Sequence, residues 1–245
     1  MTDNNNDDRN RDQPRDAGAW AKPMGRIDRD TAEEIGASGL AGRRLTGPLQ
    51  GFGKMWQKTY RVKLEGSTLE PSHIIREWKA EYGSFWPRRT RFYAPIAGIQ
   101  PGEIGRIEDK QGPMRLSTGV LVLYSDDVSF AYMTPEGHPF AGWITFSSHR
   151  EDEVPVAQVQ LLIRPSDPLY EAGFALFGSR VEDKMWQHTL RSLAAHLGVE
   201  AEPETEIVCV DKKRQWRLIG NVRHNAMIRS TLAAPFRVFR RSKSG

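Results

Sequence analysis

Ser179-Arg-Val-Glu-Asp-Lys-Met-Trp-Gln-His-Thr-Leu-Arg-Ser-Leu-Ala-Ala-His-Leu197 is the stretch on which the fold turns. Met185, Trp186, Leu190, Leu193, Ala194 and Leu197 recur at helical spacing and form one broad apolar stripe. Ser179 with Glu182 three residues later has the form of a capping box, and Gly198 is placed to end the helix. A stripe that wide needs an apolar surface to lie on. The residues before it supply one.

Ala157, Val159, Leu161 and Ile163 fall on one parity, as in a half-buried strand. Val120–Tyr124, Val128–Met133 and Phe140–Ser148 are further short strands. Turn chemistry separates them at Ser125-Asp-Asp127, Pro135-Glu-Gly-His-Pro139 and Arg150-Glu-Asp-Glu153. Connections this short leave no room for crossover helices, so the strands are antiparallel neighbours. Upstream, Pro71 suits a first helical turn, and Ile74, Ile75, Trp78 and Tyr82 follow at helical spacing up to Gly83. Before that, Trp56, Tyr60, Val62 and Leu64 alternate with Gln57, Thr59, Arg61 and Lys63. Lys58 intrudes on the apolar parity. The expected class is α+β: a curved antiparallel sheet wrapped around a long C-terminal helix.

The chain has 245 residues, a net charge of +4, 38% hydrophobic residues and a single cysteine, Cys209. One cysteine excludes an internal disulfide framework and any multi-cysteine metal cage. No apolar stretch reaches the roughly 18 residues that span a bilayer, and the acidic start is unlike a signal peptide. The expectation is a soluble, cytoplasmic protein. Residues 1–30, rich in Asp, Asn and Arg, are read as a disordered tail, with Trp20 as an exception that docks loosely. Residues 31–53 are a lead-in, 54–198 the folded domain, and 199–245 a linker and basic extension. Residues 211–245 hold ten Lys/Arg against Asp211 alone, a local +9 that leaves about −5 for the rest of the chain.

Three segments carry a resemblance: Phe92-Tyr-Ala-Pro-Ile-Ala-Gly-Ile-Gln-Pro-Gly102, Thr134-Pro-Glu-Gly-His-Pro139 and Ile163-Arg-Pro-Ser-Asp-Pro168. Over residues 54–198 the chain resembles a bacterial and plant family of unknown function. That family lies in the START-like superfamily of birch-pollen-allergen-like and polyketide-cyclase-like proteins. The resemblance implies a helix-grip fold, and the family has no established activity to carry over. Its pattern tends to place an acidic residue after the Gly-His-Pro turn, where this chain has Phe140. A sheet that wraps a helix without closing leaves an apolar hollow between them, a natural ligand site.

The residues offer few chemical motifs. There is no phosphate loop, His-Glu-x-x-His, nucleophile elbow or Cys-x-x-Cys, so no cofactor and no metal site is expected. His138, beside Glu136, has two readings: a turn residue capping backbone groups, or an acid–base group. Ligand-binding candidates are Lys58, Tyr60, Phe130, Tyr132, Trp143 and Trp186. Tyr60 and Tyr132 add hydroxyls that can orient a guest, and Lys58 can line a wet cavity and meet an anionic head group. The same residues also read as ordinary core, with Lys58 snorkelling at a strand end. Strand alternation keeps Trp143 and Phe146 from both facing inward without a bulge.

The leading functional reading is a non-catalytic protein that binds a hydrophobic or lipid-like small molecule between sheet and helix. A cyclase- or hydrolase-like enzyme using His138 in the same cavity is the alternative. A third is an interaction protein that docks on an anionic membrane surface or nucleic acid through residues 211–245; the same residues also read as a solvated helix that folds back on the domain, with Trp216 covering an edge. The oligomeric state is not legible.

Overall fold

In the computed structural model, residues 17–34, 36, 38–111 and 114–232 are described. Nine strands form one open antiparallel sheet. They are β1 (Leu45–Thr46), β2 (Met55–Lys63), β3 (Thr90–Tyr93), β4 (Ile104–Gln111), β5 (Met114–Ser125), β6 (Ser129–Pro135), β7 (Phe140–Glu151), β8 (Val154–Pro165) and β9 (Glu204–Asp211). The order is β3-β4-β5-β6-β7-β8-β2-β9, with β1 paired to β6 off that path. Sequential hairpins from β5 to β8 follow the turn chemistry. The β7–β8 turn sits at Asp152 and Glu153, both at positive φ.

The parity reading of β8 holds, since Ala157, Val159, Leu161 and Ile163 are all buried. So are Lys58, Tyr60 and Val62 on β2. Residues from opposite sides of the sheet, Phe92 on the edge strand β3 and Tyr60 on the penultimate strand β2, share one core with Trp186, Leu190 and Leu193. The sheet therefore bends around the helix, in the helix-grip arrangement implied by the START-like resemblance. After a short helix α1 (Arg29–Glu34), a longer helix α2 (Pro71–Ala80) buries Ile74, Ile75 and Trp78 in the same concavity. Trp78 meets Phe130 and Phe146 edge-on, at centroid distances of 6.0 and 5.4 Å. Each such fully buried side chain contributes on the order of 1.5–3 kcal/mol.

The gripped helix begins earlier than its capping signal indicates. Asp167 is the N-cap: its carboxylate accepts from Leu169 N–H and Tyr170 N–H at 2.8 and 2.9 Å, and Pro168 takes the first position. Helix α3 (Pro168–Gly173) runs through a π-helical segment, Phe174–Gly178, into α4 (Ser179–His196). Ser179 has helical angles and caps nothing. At the other end Gly198, at φ 81°, closes α4 as expected, with Val199 N–H donating to the Ala194 carbonyl at 2.9 Å.

Two end segments depart from the sequence reading. Residues 17–30, read as tail, are packed: Ala21 N–H donates to Leu123 O, Trp20 lies 4.7 Å from the Tyr124 ring, and Ile27 is buried. With Ala32 and Leu40, Ile27 forms a second small core against Ile104 and Leu121 on the outer face of the sheet. Residues 1–16 lie outside the described residues. Residues 204–211, read as linker and tail, form β9, which pairs with β2. Beyond it, residues 212–232 fold back as a strap, with a 3-10 helix at Trp216–His224 and an α5 helix at 226–232. Residues 233–245 lie outside the described residues.

Candidate functional site

A cavity of about 750 Å³, predominantly apolar and partly open to solvent, lies inside the grip. One wall is the concave sheet, with Phe92, Ile107, Val120, Tyr132 and Ile144. The helical wall is Leu169, Phe174, Met185 and Trp186 from α3 through α4. The strap closes one side with Met227, Ile228 and Leu232.

The wall contains buried donors without partners. The Tyr132 hydroxyl and the Trp86 and Trp186 indole N–H groups find no hydrogen-bond acceptor among the described residues. Trp186 Nε1 leans toward Glu182 and Trp86 Nε1 toward Tyr82, neither within hydrogen-bond geometry. Burial pushes the Tyr132 hydroxyl well above its ordinary pKa, so it stays protonated and donates at neutral pH. An indole N–H can only donate. These donor atoms lie just behind the cavity surface, so a guest's acceptor meets them only once a side chain turns.

His138 belongs to the wall as well, but its ring is engaged in the turn. Nδ1 accepts from the Phe140 backbone N–H at 3.1 Å. Desolvation lowers its pKa to about 4, against a modest upward pull from the Phe140 backbone. The imidazole is neutral at neutral pH, with Nδ1 also 3.0 Å from the Phe140 carbonyl. The turn itself is fixed by Gly137, at φ 90°, where an added Cβ would stand 2.1 Å from the His224 carbonyl of the strap.

Lys58, expected to meet a guest's head group, is satisfied from within. Its Nζ, wholly buried, lies 2.7 Å from Glu182 Oε2, 2.7 Å from Asp183 Oδ1 and 3.2 Å from Ser179 Oγ. The Phe174 ring is 4.8 Å away. Tyr60 donates to the same Asp183 oxygen at 2.6 Å. Burial raises the Glu182 pKa and Lys58 opposes it. Burial also raises Tyr60, with help from the Glu182 charge. Glu182, read as part of a helix cap, is thus with Asp183 a counter-ion of the intruding lysine, and Ser179 accepts from it, binding α4 to β2.

Of the ligand-binding candidates, Tyr132 and Trp186 line the cavity, and Lys58, Tyr60 and Phe130 do not. Phe130 is stacked on Phe146 at 4.6 Å in the solid core. Trp143 takes the opposite parity to Ile144 and Phe146, stands 36% exposed, and faces Met133 on the outer side. Sequence reasoning missed Trp86, Phe174 and Met185 as cavity lining; the fold-back of the basic segment, with Trp216 against the domain, was among its readings. Trp86 and Phe174 lie outside strands, where parity says nothing. Met185 was legible in the helical stripe. Among the described residues, no group of His, Cys, Asp or Glu is arranged to hold a metal ion.

No family model matches the chain, and no curated protein matches it in sequence. Solved structures do resemble it. The di-domain ARO/CYC StfQ from the steffimycin biosynthetic pathway is 12% identical with a TM-score of 0.45, over 60% of this chain and 53% of that one. This chain therefore spans about half of that protein's length. Ara h 8.0201 is 10% identical with a TM-score of 0.42, over 58% of this chain and 97% of that one. Protein Ms6760 from Mycobacterium smegmatis is 10% identical with a TM-score of 0.43, over 63% and 96%. Likenesses this distant carry nothing about activity.

Proposed function

We propose that the protein binds a hydrophobic small molecule that carries at least one hydrogen-bond acceptor, such as a carbonyl. The observation that supports this is a roughly 750 Å³ apolar hollow, with unsatisfied donors just behind its wall. A buried donor without a partner costs about 1–3 kcal/mol, and an acceptor on a guest recovers that. Pockets of this size and polarity suit small organic ligands. No helix among the described residues is long and apolar enough to cross a membrane. Cytoplasmic placement remains part of the same proposal.

The enzymatic alternative, with His138 as acid–base group, has the histidine's position in the wall in its favour. Against it stand a pKa near 4, which makes a weak base, and an Nδ1 already engaged by the turn.

The test compares an acceptor-bearing probe with its hydrocarbon counterpart, benzophenone against diphenylmethane. Wild type is expected to prefer the ketone, and Tyr132→Phe to lose that preference by up to about tenfold with little change for the hydrocarbon. Failure of both probes to bind, or equal binding by a cavity-filling Ile144→Trp variant, would refute the proposal.

A further inference from the structure

The strap carries an exposed face that the domain does not use. In a 3-10 helix, side chains three apart eclipse one another. Within Trp216–His224, Trp216 and Ile219 thus share one ridge, 66% and 51% exposed. Arg217 and Arg223 share the next, both exposed. The third ridge, Leu218, Asn221 and His224, is half-buried and holds the helix down. There Asn221 Nδ2 donates to the Gln50 and Ser166 carbonyls, both at 2.9 Å. Trp216 rests edge-on against Phe52 at 5.3 Å. Leu49, 67% exposed, precedes Gln50 and so stands close to this helix.

Lys212 and Lys213 precede this helix. Arg214 is committed to Glu171 at 2.9 Å, and Arg164 to Asp211. No ion pair among the described residues involves Lys212, Lys213, Arg217 or Arg223. An apolar ridge with an exposed indole, flanked by four cations outside any described ion pair, Arg223 donating only to His224 Nε2 at 3.2 Å, is complementary to an anionic lipid interface.

We propose that residues 212–224 dock the protein on an anionic membrane surface. Trp216, Ile219 and Leu49 enter the interface, and Lys212, Lys213, Arg217 and Arg223 meet headgroup charge. Nucleic acid fits less well. Its phosphates use the cations and its bases stack on an indole, but neither engages the aliphatic Ile219 and Leu49. The position of the face adds a consequence that rests on the ligand-binding reading. The same strap continues into α5, whose Met227, Ile228 and Leu232 line the cavity. Docking therefore places the cavity beside a reservoir of apolar molecules.

The test is flotation of the full chain with phosphatidylcholine vesicles, with and without phosphatidylserine, over a range of salt. Wild type is expected to float only with phosphatidylserine, and less as salt rises. The double change Trp216→Ser with Ile219→Ser, and separately Arg217→Glu with Arg223→Glu, should each weaken binding about tenfold or more. Arg217 and Arg223 are exposed, so their variant should keep the wild-type melting temperature. Loss of the Trp216 contact with Phe52 lowers it for the other variant, whose binding is measured below its own melting transition. Lack of phosphatidylserine-dependent flotation by wild type overturns the proposal. So does undiminished binding by either variant, or duplex DNA bound through these residues in place of vesicles. The two readings separate cleanly. Anilinonaphthalene sulfonate reports the cavity without vesicles, and Ile144→Trp should abolish dye binding while leaving flotation intact.

Discussion

Replacing Lys58 by methionine removes the one cation that two nearly buried carboxylates share. Its Nζ lies 2.7 Å from both Glu182 and Asp183, whose side chains are only 7% and 20% exposed. At an effective dielectric of about 20, each such contact amounts to roughly 6 kcal/mol of gross attraction. Desolvation of the three groups cancels most of that, so the cluster contributes little net against an apolar replacement. Removing one member is different. Glu182 is left charged, buried and unpaired, which costs about 3–5 kcal/mol, a large share of the roughly 5–15 kcal/mol that holds a domain folded.

Urea unfolding, followed by far-UV circular dichroism, measures this directly. The loss should shrink on acidification. Burial already holds the Glu182 pKa above its ordinary value. Without Lys58 it rises further, so the folded variant takes up a proton that the unfolded chain does not. A raised carboxylate favours folding at low pH and loses that advantage as pH rises. Lys58→Met should therefore be hurt most at about pH 8 and less at about pH 5. Adding Glu182→Gln should restore most of the stability by removing the stranded charge. A loss below about 1 kcal/mol at the higher pH, with unchanged m-value, would show that Lys58 is not the counter-ion it looks to be.

Three other substitutions probe the turn, the strap and the cap. Desolvation depresses the His138 pKa from 6.5 to about 4. Stability is thus full above the unfolded value and falls by about 3 kcal/mol as pH drops from about 6.5 to 4. His138→Gln should flatten that part of the profile, and an unchanged slope would mean the imidazole is not held neutral. Gly137→Ala should cost about 2 kcal/mol or more, because it sets a Cβ against the His224 carbonyl at a positive φ. It should also speed proteolysis within residues 212–232, whereas wild-type melting and cleavage would contradict the contact. Asp167→Ala removes the cap of α3 and the acceptor of Asn225 Nδ2 at 2.8 Å. About 2 kcal/mol or more should be lost, and a loss within about 0.5 kcal/mol would show the cap to be idle.

Where burial is one-sided and local, the sequence was readable. The alternation of Ala157, Val159, Leu161 and Ile163 placed β8, and the helical recurrence of Trp186, Leu190 and Leu193 placed α4. What failed was pairing across distance. Ser179 and Glu182 have the spacing of a cap, but the helix reaches them already formed, and Lys58, more than a hundred residues upstream, claims both. The start signal was present further back, in Asp167-Pro168. The strand β9 escaped because it is an edge. With Ile207, Val208 and Val210 all partly exposed, neither parity of Glu204–Asp211 is distinctly apolar. Residues 17–40 escaped because Ile27 and Leu40 are isolated, and their partners Ile104 and Leu121 lie on the face of the sheet away from the helix.

The hollow survives because its walls are fixed by contacts that do not fill it. Under α2 the grip is solid, with Trp78, Tyr82, Phe130 and Phe146 packed ring against ring. On the far side three polar anchors take over. The Lys58 cluster ties α4 to β2. Asn225 ties the strap to the Asp167 cap. Ser230 and Thr231 of α5 accept from the Ser117 and Arg115 backbone N–H groups on β5, at 3.1 and 3.4 Å. Each anchor sets a distance between elements without supplying apolar volume, so Tyr132, Trp186 and Met185 face one another across space that no side chain occupies. A core optimised for stability alone would have collapsed that space, since every unfilled volume forfeits dispersion contacts. That the rigid framework surrounds the void rather than closing it is the physical reason to look for a guest inside.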